Sequence, residues 1–302
     1  MPDHLVSDGG CFRILVTALV KSLRPKQWSK NLLVFAGYLF TIEQDHPPSV
    51  LLRVVAAFCV FCAVSGATYV LNDVVDAESD RRHPRKCKRP IASGALPVRV
   101  ALAFAAVLTA GSLAAAFRLG IGFGLLTSAY VVLTIAYSLA LKHVVIVDLL
   151  AIAAGFVIRA AAGAVVIAVV ISPWLLVCTT LLALFLGLAK RRGEIVTLEN
   201  GGVDHRRILD DYSAPLLDQM LNIAASASLM AYFLYTFTAT TGKSHPEMMI
   251  TVPFVIYGLF RYLYLVHTKN AGDSPEQLLI DDKPLLVNVL LYVVAVIIAM
   301  KA

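Results

Sequence analysis

The sequence predicts an all-α, polytopic membrane protein built as a single transmembrane domain over residues 1–302. Hydrophobic residues make up 59% of the chain and charged residues only 15%, against about 25% charged in typical soluble domains. Apolar runs near the roughly 20 residues that cross a bilayer recur along the whole length. These runs mostly lack the amphipathic periodicity of soluble helices. A soluble globular protein is therefore excluded.

Nine apolar runs predict a bundle of nine transmembrane helices, of which the first and last are short. They cover residues 29–45, 50–71, 99–117, 120–141, 145–170, 173–190, 216–240, 249–267 and 285–301. Before them, residues 11–30 predict an amphipathic helix that lies at the membrane interface.

Basic residues are concentrated in the loops on one side of this predicted bundle. Loops 71–99, 190–215 and 261–284, together with the N-terminal segment, hold most of the 26 Lys and Arg residues. The positive-inside rule places these loops, the N-terminus and the active site on the cytoplasmic side of the inner (plasma) membrane. Topology and anionic headgroups then explain the net charge of +6 without a nucleic-acid partner. Small-residue helix faces can pack within or between subunits, which leaves a homo-oligomer open.

An acidic motif, NDVVDAESD, follows the second predicted span. Asn72, Asp76 and Asp80 are spaced i, i+4, i+8 along one helix face, with Asp73 beside them. Clustered carboxylates repel one another unless a cation lies among them, and Mg²⁺ takes one or two carboxylates together with substrate phosphate oxygens. The motif predicts Mg²⁺ ligands at Asn72 and Asp76, and catalytic carboxylates at Asp73, Asp76 and Asp80. The alternative is that these acids only pair with the neighbouring arginines Arg81, Arg82 and Arg85.

Basic and aromatic side chains near the inner ends of the predicted spans indicate phosphate binding. Lys and Arg bind phosphate oxygens through charge-assisted hydrogen bonds, and Arg adds bidentate geometry. A metal site with cations around it predicts a diphosphate substrate. The candidate substrate-binding residues are Lys30, Tyr69, Lys86, Lys88, Arg89, Tyr137, Lys142, Arg159, Lys190, Arg191 and Glu194. For Arg24, Lys26 and Trp28, the favoured interpretation is interfacial anchoring.

Arg159 lies well inside the fifth predicted span, in AAGFVIRAAAG. A charge at that depth is costly and usually faces the bundle interior. We predict that Arg159 binds an anionic substrate group that reaches into the membrane; the alternative is a structural ion pair with Asp148 or another acid. The cations together exceed the needs of one diphosphate, which indicates a second phosphorylated substrate, and the bilayer setting favours a lipid.

The acidic motif resembles the NDxxDxxxD motif of the UbiA superfamily of intramembrane prenyltransferases, whose nine-span architecture is similar. Within that superfamily, YVLNDVVDAESDRRHPRKCKRPIASG, VIRAAAGA and AKRRGE resemble the branch that transfers phosphoribose to a polyprenyl phosphate. The resemblance implies Mg²⁺-dependent transfer of 5-phosphoribose from phosphoribosyl diphosphate (PRPP) to decaprenyl or another polyprenyl phosphate. Diphosphate is released, and the product is a precursor of cell-wall arabinan.

One departure from the wider superfamily supports that branch. Aromatic prenyltransferases carry a second acidic motif after the sixth span, whereas this chain has Lys190, Arg191 and Glu194 in the sequence KRRGE. Two cations at the position where carboxylates would bind metal imply that basic side chains bind a phosphate directly, such as the 5-phosphate of phosphoribosyl diphosphate. The rival interpretations are a UbiA-type enzyme that prenylates an aromatic or other acceptor, and a transporter of lipid phosphates or organic anions. Paired broken helices would favour the transporter, but the prolines fall mainly in loops and near span ends.

Overall fold

The fold is entirely helical over the residues that the computed structural model describes, which are 8–84, 86–199, 207–238, 245–268 and 275–301. The α-helices of these ranges are α1 (Asp8–Ser22), α2 (Ala36–Leu39), α3 (Pro48–Val75), α4 (Ala77–Arg82), α5 (Val98–Leu119), α6 (Ile121–Leu139), α7 (Val147–Val166), α8 (Pro173–Glu199), α9 (Ala214–Thr238), α10 (Val252–Thr268), α11 (Pro275–Asp281) and α12 (Lys283–Lys301). Short 3-10 helices cover Pro25–Phe35, Ile42–Gln44, Lys86–Lys88, Leu141–His143, Arg207–Asp211 and Pro246–Thr251.

Within the described ranges, eight helices are long and apolar enough to cross a membrane. They are α3, α5, α6, α7, α8, α9, α10 with the 3-10 turn before it, and α12. Each coincides with one of the runs predicted from residue 50 onward. An all-α, polytopic architecture is therefore confirmed, together with these eight spans.

The run at residues 29–45, predicted as the first span, is not an α-helix of spanning length. It consists of the 3-10 helix Pro25–Phe35, the four-residue α2 and a further 3-10 turn. Its contacts proceed antiparallel along α3, in the order Arg24 with Asp73, Asn31 with Ser65 and Phe35 with Phe58. The segment covers the length of α3 without forming a long α-helix, and the count of nine spans stays a prediction.

The predicted interfacial helix at 11–30 is shorter than expected. Helix α1 ends at Ser22, and Arg24 adopts a positive φ of 51°. A residue that precedes proline is sterically disfavoured in the α region, and Pro25 follows directly. The prediction was therefore wrong beyond Ser22, while the interfacial location of α1 remains a prediction.

The 3-10 segment packs closely on α7 through glycine. A Cβ atom on Gly163 would lie 2.0 Å from the carbonyl oxygen of Val34. A Cβ on Gly37 would lie 2.9 Å from the Cα of Ala164. Such distances leave no room for a side chain, so the two backbones meet directly. This contact fixes the position of the 3-10 segment against the bundle.

Helix α7 lies between the two largest apolar clusters. Its C-terminal half contributes Ala162 and Val166 to a cluster that includes Phe61 and Phe123. Its first turn contributes Leu149 to the other cluster, which is formed mainly by α8, α9 and α10. A helix that packs on both sides turns most of its surface inward. Polar residues on α7 therefore lie inside the bundle.

Candidate active site

The acidic motif spans a break between two helices. Helix α3 ends at Val75 and α4 begins at Ala77, so the motif is not one continuous helix. Asn72 donates a side-chain hydrogen bond to Oδ2 of Asp76 at 3.0 Å. Asp73 and Asp80 are buried, at 2% and 4% exposure. Buried carboxylates require partners, and the structure supplies them as arginines.

Arg24 and Arg89 neutralise the two buried carboxylates. Arg24 pairs with Asp73 and lies over the Tyr69 ring at 5.2 Å. Arg89 bridges the two acids, 3.1 Å from Asp73 and 2.5 Å from Asp80. Arg24 is therefore part of the site, although its sequence context favoured simple anchoring.

Of the alternative partners considered from the sequence, the two that the structure describes, Arg81 and Arg82, contact other groups. Arg82 pairs with Glu78 on the exposed face of α4. The side chain of Arg81 reaches the carbonyl of Ala92 at 3.4 Å. Arg85 lies outside the described residues. Asp73 and Asp80 are thus paired with Arg24, which follows α1, and with Arg89.

Lys142 completes this end of the site from a distant part of the sequence. It sits on the 3-10 turn Leu141–His143 between α6 and α7 and is 6% exposed. Its Nζ donates to Oδ1 of Asp76 at 2.6 Å. Asp76 therefore holds an ammonium group on one oxygen and the Asn72 amide on the other. Lys142, which the sequence predicts as a substrate-binding residue, therefore lies beside the acidic motif.

Arg159 is buried in the middle of α7 among neutral acceptors. Its Nε donates to Asn31 at 2.8 Å, one terminal nitrogen to the carbonyl of Gly155 at 2.9 Å, and the other to the Tyr130 hydroxyl at 2.7 Å. No carboxylate among the described residues forms an ion pair with it. The alternative of an Asp148–Arg159 pair was wrong, because Asp148 binds another arginine.

That other arginine is Arg191, in the C-terminal part of α8. It is 1% exposed, and its Nε donates to Asp148 at 2.8 Å. It also bonds Glu194 at 2.5 Å and reaches the Tyr137 hydroxyl at 3.5 Å. Three of the predicted substrate-binding residues, Tyr137, Arg191 and Glu194, thus form one network around Asp148. Tyr212 adds a hydrogen bond to the same carboxylate.

A cavity of about 1,220 Å³ connects these groups. At one end it is lined by predicted site residues, namely Lys30, Tyr69, Asn72, Tyr137, Arg159, Lys190 and Arg191, together with Arg24. Most of the remaining lining is apolar and extends along α8 to Trp174. Between Trp174 and Arg191, α8 rises about 26 Å, which approaches the thickness of the hydrocarbon core. The cavity therefore combines a cationic part, which suits anionic groups, with a long apolar part, which suits a lipid chain.

Other predicted residues lie beside the cavity and do not line it. Lys86 and Lys88 are on the 3-10 helix Lys86–Lys88, and Lys88 is exposed. Arg89 pairs with Asp80 and Lys142 with Asp76, whereas Glu194 pairs with Arg191, which lines the cavity.

Asn31, Tyr130, Asp148 and Tyr212 are site residues that sequence reasoning missed. Asn31 and Tyr130 carry no charge and lie in apolar runs, so only their contact with Arg159 reveals them. Asp148 had a detectable signal: it is an acid at the start of an apolar span, where an unpaired charge is costly.

The acidic motif offers two ligands for a divalent cation, Asn72 and Asp76. The described residues contain no group of three or more His, Cys, Asp or Glu side chains arranged to hold a metal ion. Mg²⁺ does not need one, because it keeps several waters and uses one or two carboxylates with substrate phosphates. Asp76 with the amide oxygen of Asn72 meets that requirement, whereas Asp73 and Asp80 are engaged by arginines.

The fold and the site define an intramembrane enzyme-like bundle in which a largely apolar cavity reaches Asn72 of the acidic motif and a set of cations. Residues 31–280 match the UbiA prenyltransferase family, and the chain belongs to that family. The decaprenyl-phosphate phosphoribosyltransferase of Corynebacterium glutamicum is 34% identical over 94% of this chain and 87% of its own length. That of Mycolicibacterium smegmatis is 32% identical over 94% of this chain and 93% of its own length.

Solved structures show the same fold. A UbiA homologue from Archaeoglobus fulgidus, bound to GPP and Mg²⁺, has a TM-score of 0.72 and 17% identity, and covers 94% of this chain and 100% of its own. A digeranylgeranylglyceryl phosphate synthase has a TM-score of 0.64 and 18% identity, and covers 95% of this chain and 98% of its own. The family resemblance predicted from the acidic motif is confirmed.

Proposed function

We propose that this protein transfers 5-phosphoribose from phosphoribosyl diphosphate to decaprenyl phosphate or a similar polyprenyl phosphate, with release of diphosphate. The product is polyprenyl-phosphate 5-phosphoribose, a precursor of cell-wall arabinan. The protein acts as a multi-pass enzyme of the plasma membrane, with the acidic motif at the cytoplasmic face. Divalent metal dependence, with Mg²⁺ as the ion, is part of the proposal.

The observation that carries this proposal is the cavity with a cationic end and a long apolar remainder. An aqueous phosphorylated sugar suits the first compartment, and a lipid phosphate with a long chain suits both. The family members of Corynebacterium glutamicum and Mycolicibacterium smegmatis, similar along nearly their whole lengths, carry the name decaprenyl-phosphate phosphoribosyltransferase. Their similarity supports phosphoribose as the group transferred.

Asn72 and Asp76 would hold the divalent cation near the leaving diphosphate. When bound, the cation neutralises the charge that develops on that diphosphate. Lys142, 2.6 Å from Asp76, adds a fixed positive charge at the same place. Asp73 and Asp80 orient Arg24 and Arg89 through their ion pairs, and Arg24 also lines the cavity. We assign the leaving group to this half of the cationic end.

Arg191 and Lys190 are assigned to the 5-phosphate of the donor. Both line the cavity, and Arg191 is locked between Asp148 and Glu194. These two ion pairs hold the Arg191 guanidinium in one fixed orientation. This phosphate stays on the transferred ribose and is not the leaving group, so direct binding without metal suffices. Glu194 contributes by orienting Arg191.

Arg159 is assigned to the phosphate of the lipid acceptor. Three of its five N–H groups are used by Asn31, Gly155 and Tyr130, which leaves one on each terminal nitrogen. A buried cation without a carboxylate partner among the described residues attracts an anion strongly in a low-dielectric site. Its position midway along α7 suits a headgroup that enters from the lipid.

The reaction then needs positioning more than proton transfer. The bond between ribose C1 and the diphosphate oxygen breaks, and a bond forms between C1 and an oxygen of the lipid phosphate. Positive charge develops at C1 as the diphosphate leaves. A phosphate monoester is already ionised at neutral pH, so no general base is required. Catalysis follows from holding the two substrates in line and stabilising the departing charge.

The test is a transfer assay on the purified full chain in detergent. It contains Mg²⁺, phosphoribosyl diphosphate labelled in the ribose, and polyprenyl phosphate, and the label extracted into organic solvent is counted. We expect transfer by the wild type and its loss with a chelator or with Asp76→Ala. Glu78→Gln is the matched control, because Glu78 is an exposed acid two positions away.

Two results would contradict the proposal. In the first, the wild type leaves the label in water but joins a prenyl diphosphate to an aromatic acid, which identifies an aromatic prenyltransferase. In the second, folded protein shows neither reaction but moves a lipid phosphate across a vesicle membrane, which identifies a transporter.

A further inference from the structure

Tyr212 joins the segment before α9 to the start of α7. Its side chain is 6% exposed. The hydroxyl lies 2.7 Å from the backbone nitrogen of Ile146 and 3.1 Å from Oδ1 of Asp148. A backbone N–H can only donate, so the hydroxyl accepts from Ile146 and its own proton is left for the carboxylate. The hydroxyl therefore has one defined direction.

Asp148 transmits this direction to Arg191. The carboxylate is fully buried, with 0% exposure. One oxygen receives the Tyr212 hydroxyl and the other receives Nε of Arg191 at 2.8 Å. A buried carboxylate held on both oxygens cannot rotate without losing a hydrogen bond, and such a loss is costly. The orientation of the Arg191 guanidinium thus depends on Tyr212.

Ile146 indicates that the contact is specified by the fold. Its φ of 68° is positive, which is a genuine outlier for a β-branched residue. Conformations of this kind persist only where surrounding contacts determine them. The hydrogen bond from Ile146 N–H to Tyr212 is such a contact, and it holds the turn just before Asp148 in place.

We propose that Tyr212 is a positioning residue for the phosphoribosyl donor. Acting through Asp148, it holds Arg191 in the orientation that binds the donor's 5-phosphate. This rests on the proposed function, which assigns Arg191 to that phosphate. Without the hydroxyl, Asp148 can turn and the Arg191 guanidinium loses its fixed direction. The lipid phosphate, assigned to Arg159, is unaffected.

The kinetic test compares the wild type with Tyr212→Phe in the transfer assay. We expect the KM for phosphoribosyl diphosphate to rise about five- to tenfold, the factor associated with one buried hydrogen bond. The KM for polyprenyl phosphate stays within about twofold. A variant that was merely less well folded would lower the amount of active enzyme and kcat while leaving both KM values alone.

A double-mutant cycle tests whether the effect passes through Arg191. Arg191→Lys keeps the charge but cannot reproduce the planar contact with Asp148. In that background, we expect Tyr212→Phe to change the donor KM by less than about twofold. If Tyr212→Phe raises the donor KM by the same factor in both backgrounds, Tyr212 does not act through Arg191 and the proposal is overturned.

A binding measurement separates this proposal from the proposed function. Calorimetry with ribose 5-phosphate as the probe needs no turnover. We expect weaker binding by Tyr212→Phe than by the wild type, even if the assay shows another reaction. Equal binding overturns the positioning role, whereas absence of phosphoribosyl transfer by the wild type overturns only the proposed function.

Thr127→Val is the control for the loss of a buried hydroxyl outside the site. Thr127 lies on α6 and is 0% exposed, its hydroxyl donates to the backbone carbonyl of Phe123 at 2.8 Å, and it is not among the residues that line the cavity. We expect a similar decrease in melting temperature from both variants and a changed donor KM only from Tyr212→Phe. A changed donor KM in both would contradict the proposal.

Discussion

The ammonium group of Lys142 lies 2.6 Å from Oδ1 of Asp76, although 66 positions separate the two residues. Each comes from a different break in the helical bundle, Asp76 between α3 and α4 and Lys142 between α6 and α7. A carboxylate with an ammonium group on one oxygen is partly neutralised before any metal binds. The pair therefore links the affinity for the metal to the charge available for the leaving diphosphate.

Lys142→Met is expected to change these two quantities in opposite directions. Without the ammonium group, a divalent cation meets less repulsion at Asp76, so the metal concentration for half-maximal activity falls. The maximal rate falls by about 100-fold, since a fixed charge near the departing diphosphate is lost. A metal titration of the transfer assay measures both. A lower rate with an unchanged or higher metal requirement would contradict this view of the pair.

Arg159→Met is expected to abolish most activity without lowering stability. The wild-type arginine has only neutral acceptors among the described residues, so its removal deletes a desolvated charge and breaks no ion pair. We expect the KM for polyprenyl phosphate to rise by at least about tenfold and the melting temperature to stay the same or increase. Steady-state kinetics and thermal unfolding in detergent provide the two readouts.

Arg261→Met is the matched control for Arg159→Met. Arg261 forms a two-pronged pair with Asp282, which is only 9% exposed. Its removal leaves that acid without its partner arginine, so we expect a lower melting temperature with unchanged KM values. If Arg159→Met behaves like this control, Arg159 has a structural role and does not bind the lipid phosphate.

Gly163→Ala tests the contact between the 3-10 segment and α7. The new Cβ would lie 2.0 Å from the carbonyl oxygen of Val34, so one backbone must move. We expect the free energy of unfolding to fall by about 1–3 kcal/mol, as for other overpacked sites. Gly111→Ala in α5, where nothing lies within 4 Å of the new Cβ, is expected to raise it by about 0.5–1 kcal/mol. Equal effects of the two substitutions would show that the contact is not tight.

Tyr212 predicts a component of the pH dependence of stability. Burial raises the pKa of Tyr212, and the nearby Asp148 charge acts in the same direction. A raised folded-state pKa means that this stabilisation is fully present below the unfolded value of about 10 and is lost as the pH rises through the folded value. Melting temperatures from pH 8 upward are expected to fall less steeply above about pH 10 in Tyr212→Phe than in the wild type. Parallel curves would contradict this.

Much of the fold could be predicted because the membrane restricts it. Lipid offers no hydrogen-bond partners, so long apolar runs must form helices, and α3 and α5 to α10 follow that rule. The segment at Pro25–Leu39 is different because it packs on α3 and α7 inside the bundle. Its 3-10 conformation depends on the meeting of two backbones at Gly163, which local sequence does not reveal.

The candidate site, like the fold, could be predicted only in part from the sequence. Charged residues are rare in this chain, so those inside apolar spans or at their ends were conspicuous, and Arg191, Lys142 and Arg159 were all named. Their pairings were not predicted, because a pair such as Arg191 with Asp148 depends on tertiary distance across 43 positions. Tyr212 is one of eleven tyrosines and carries no charge, so nothing in the sequence distinguishes it.

The extended course of residues 24–47 bears on how many times the chain crosses the membrane. From Pro48 to Asp73, α3 rises about 38 Å, and the preceding segment returns over the same height because Arg24 bonds Asp73. A 3-10 helix rises about 2.0 Å per residue against 1.5 Å for an α-helix, so it covers that height with fewer residues. Counting only the helices that are long and apolar enough to span a membrane gives eight crossings among the described residues. Counting residues 24–47 as a further crossing gives nine. We expect impermeant thiol reagents to reach cysteines placed at Lys21 and Lys301 from opposite sides of a sealed vesicle.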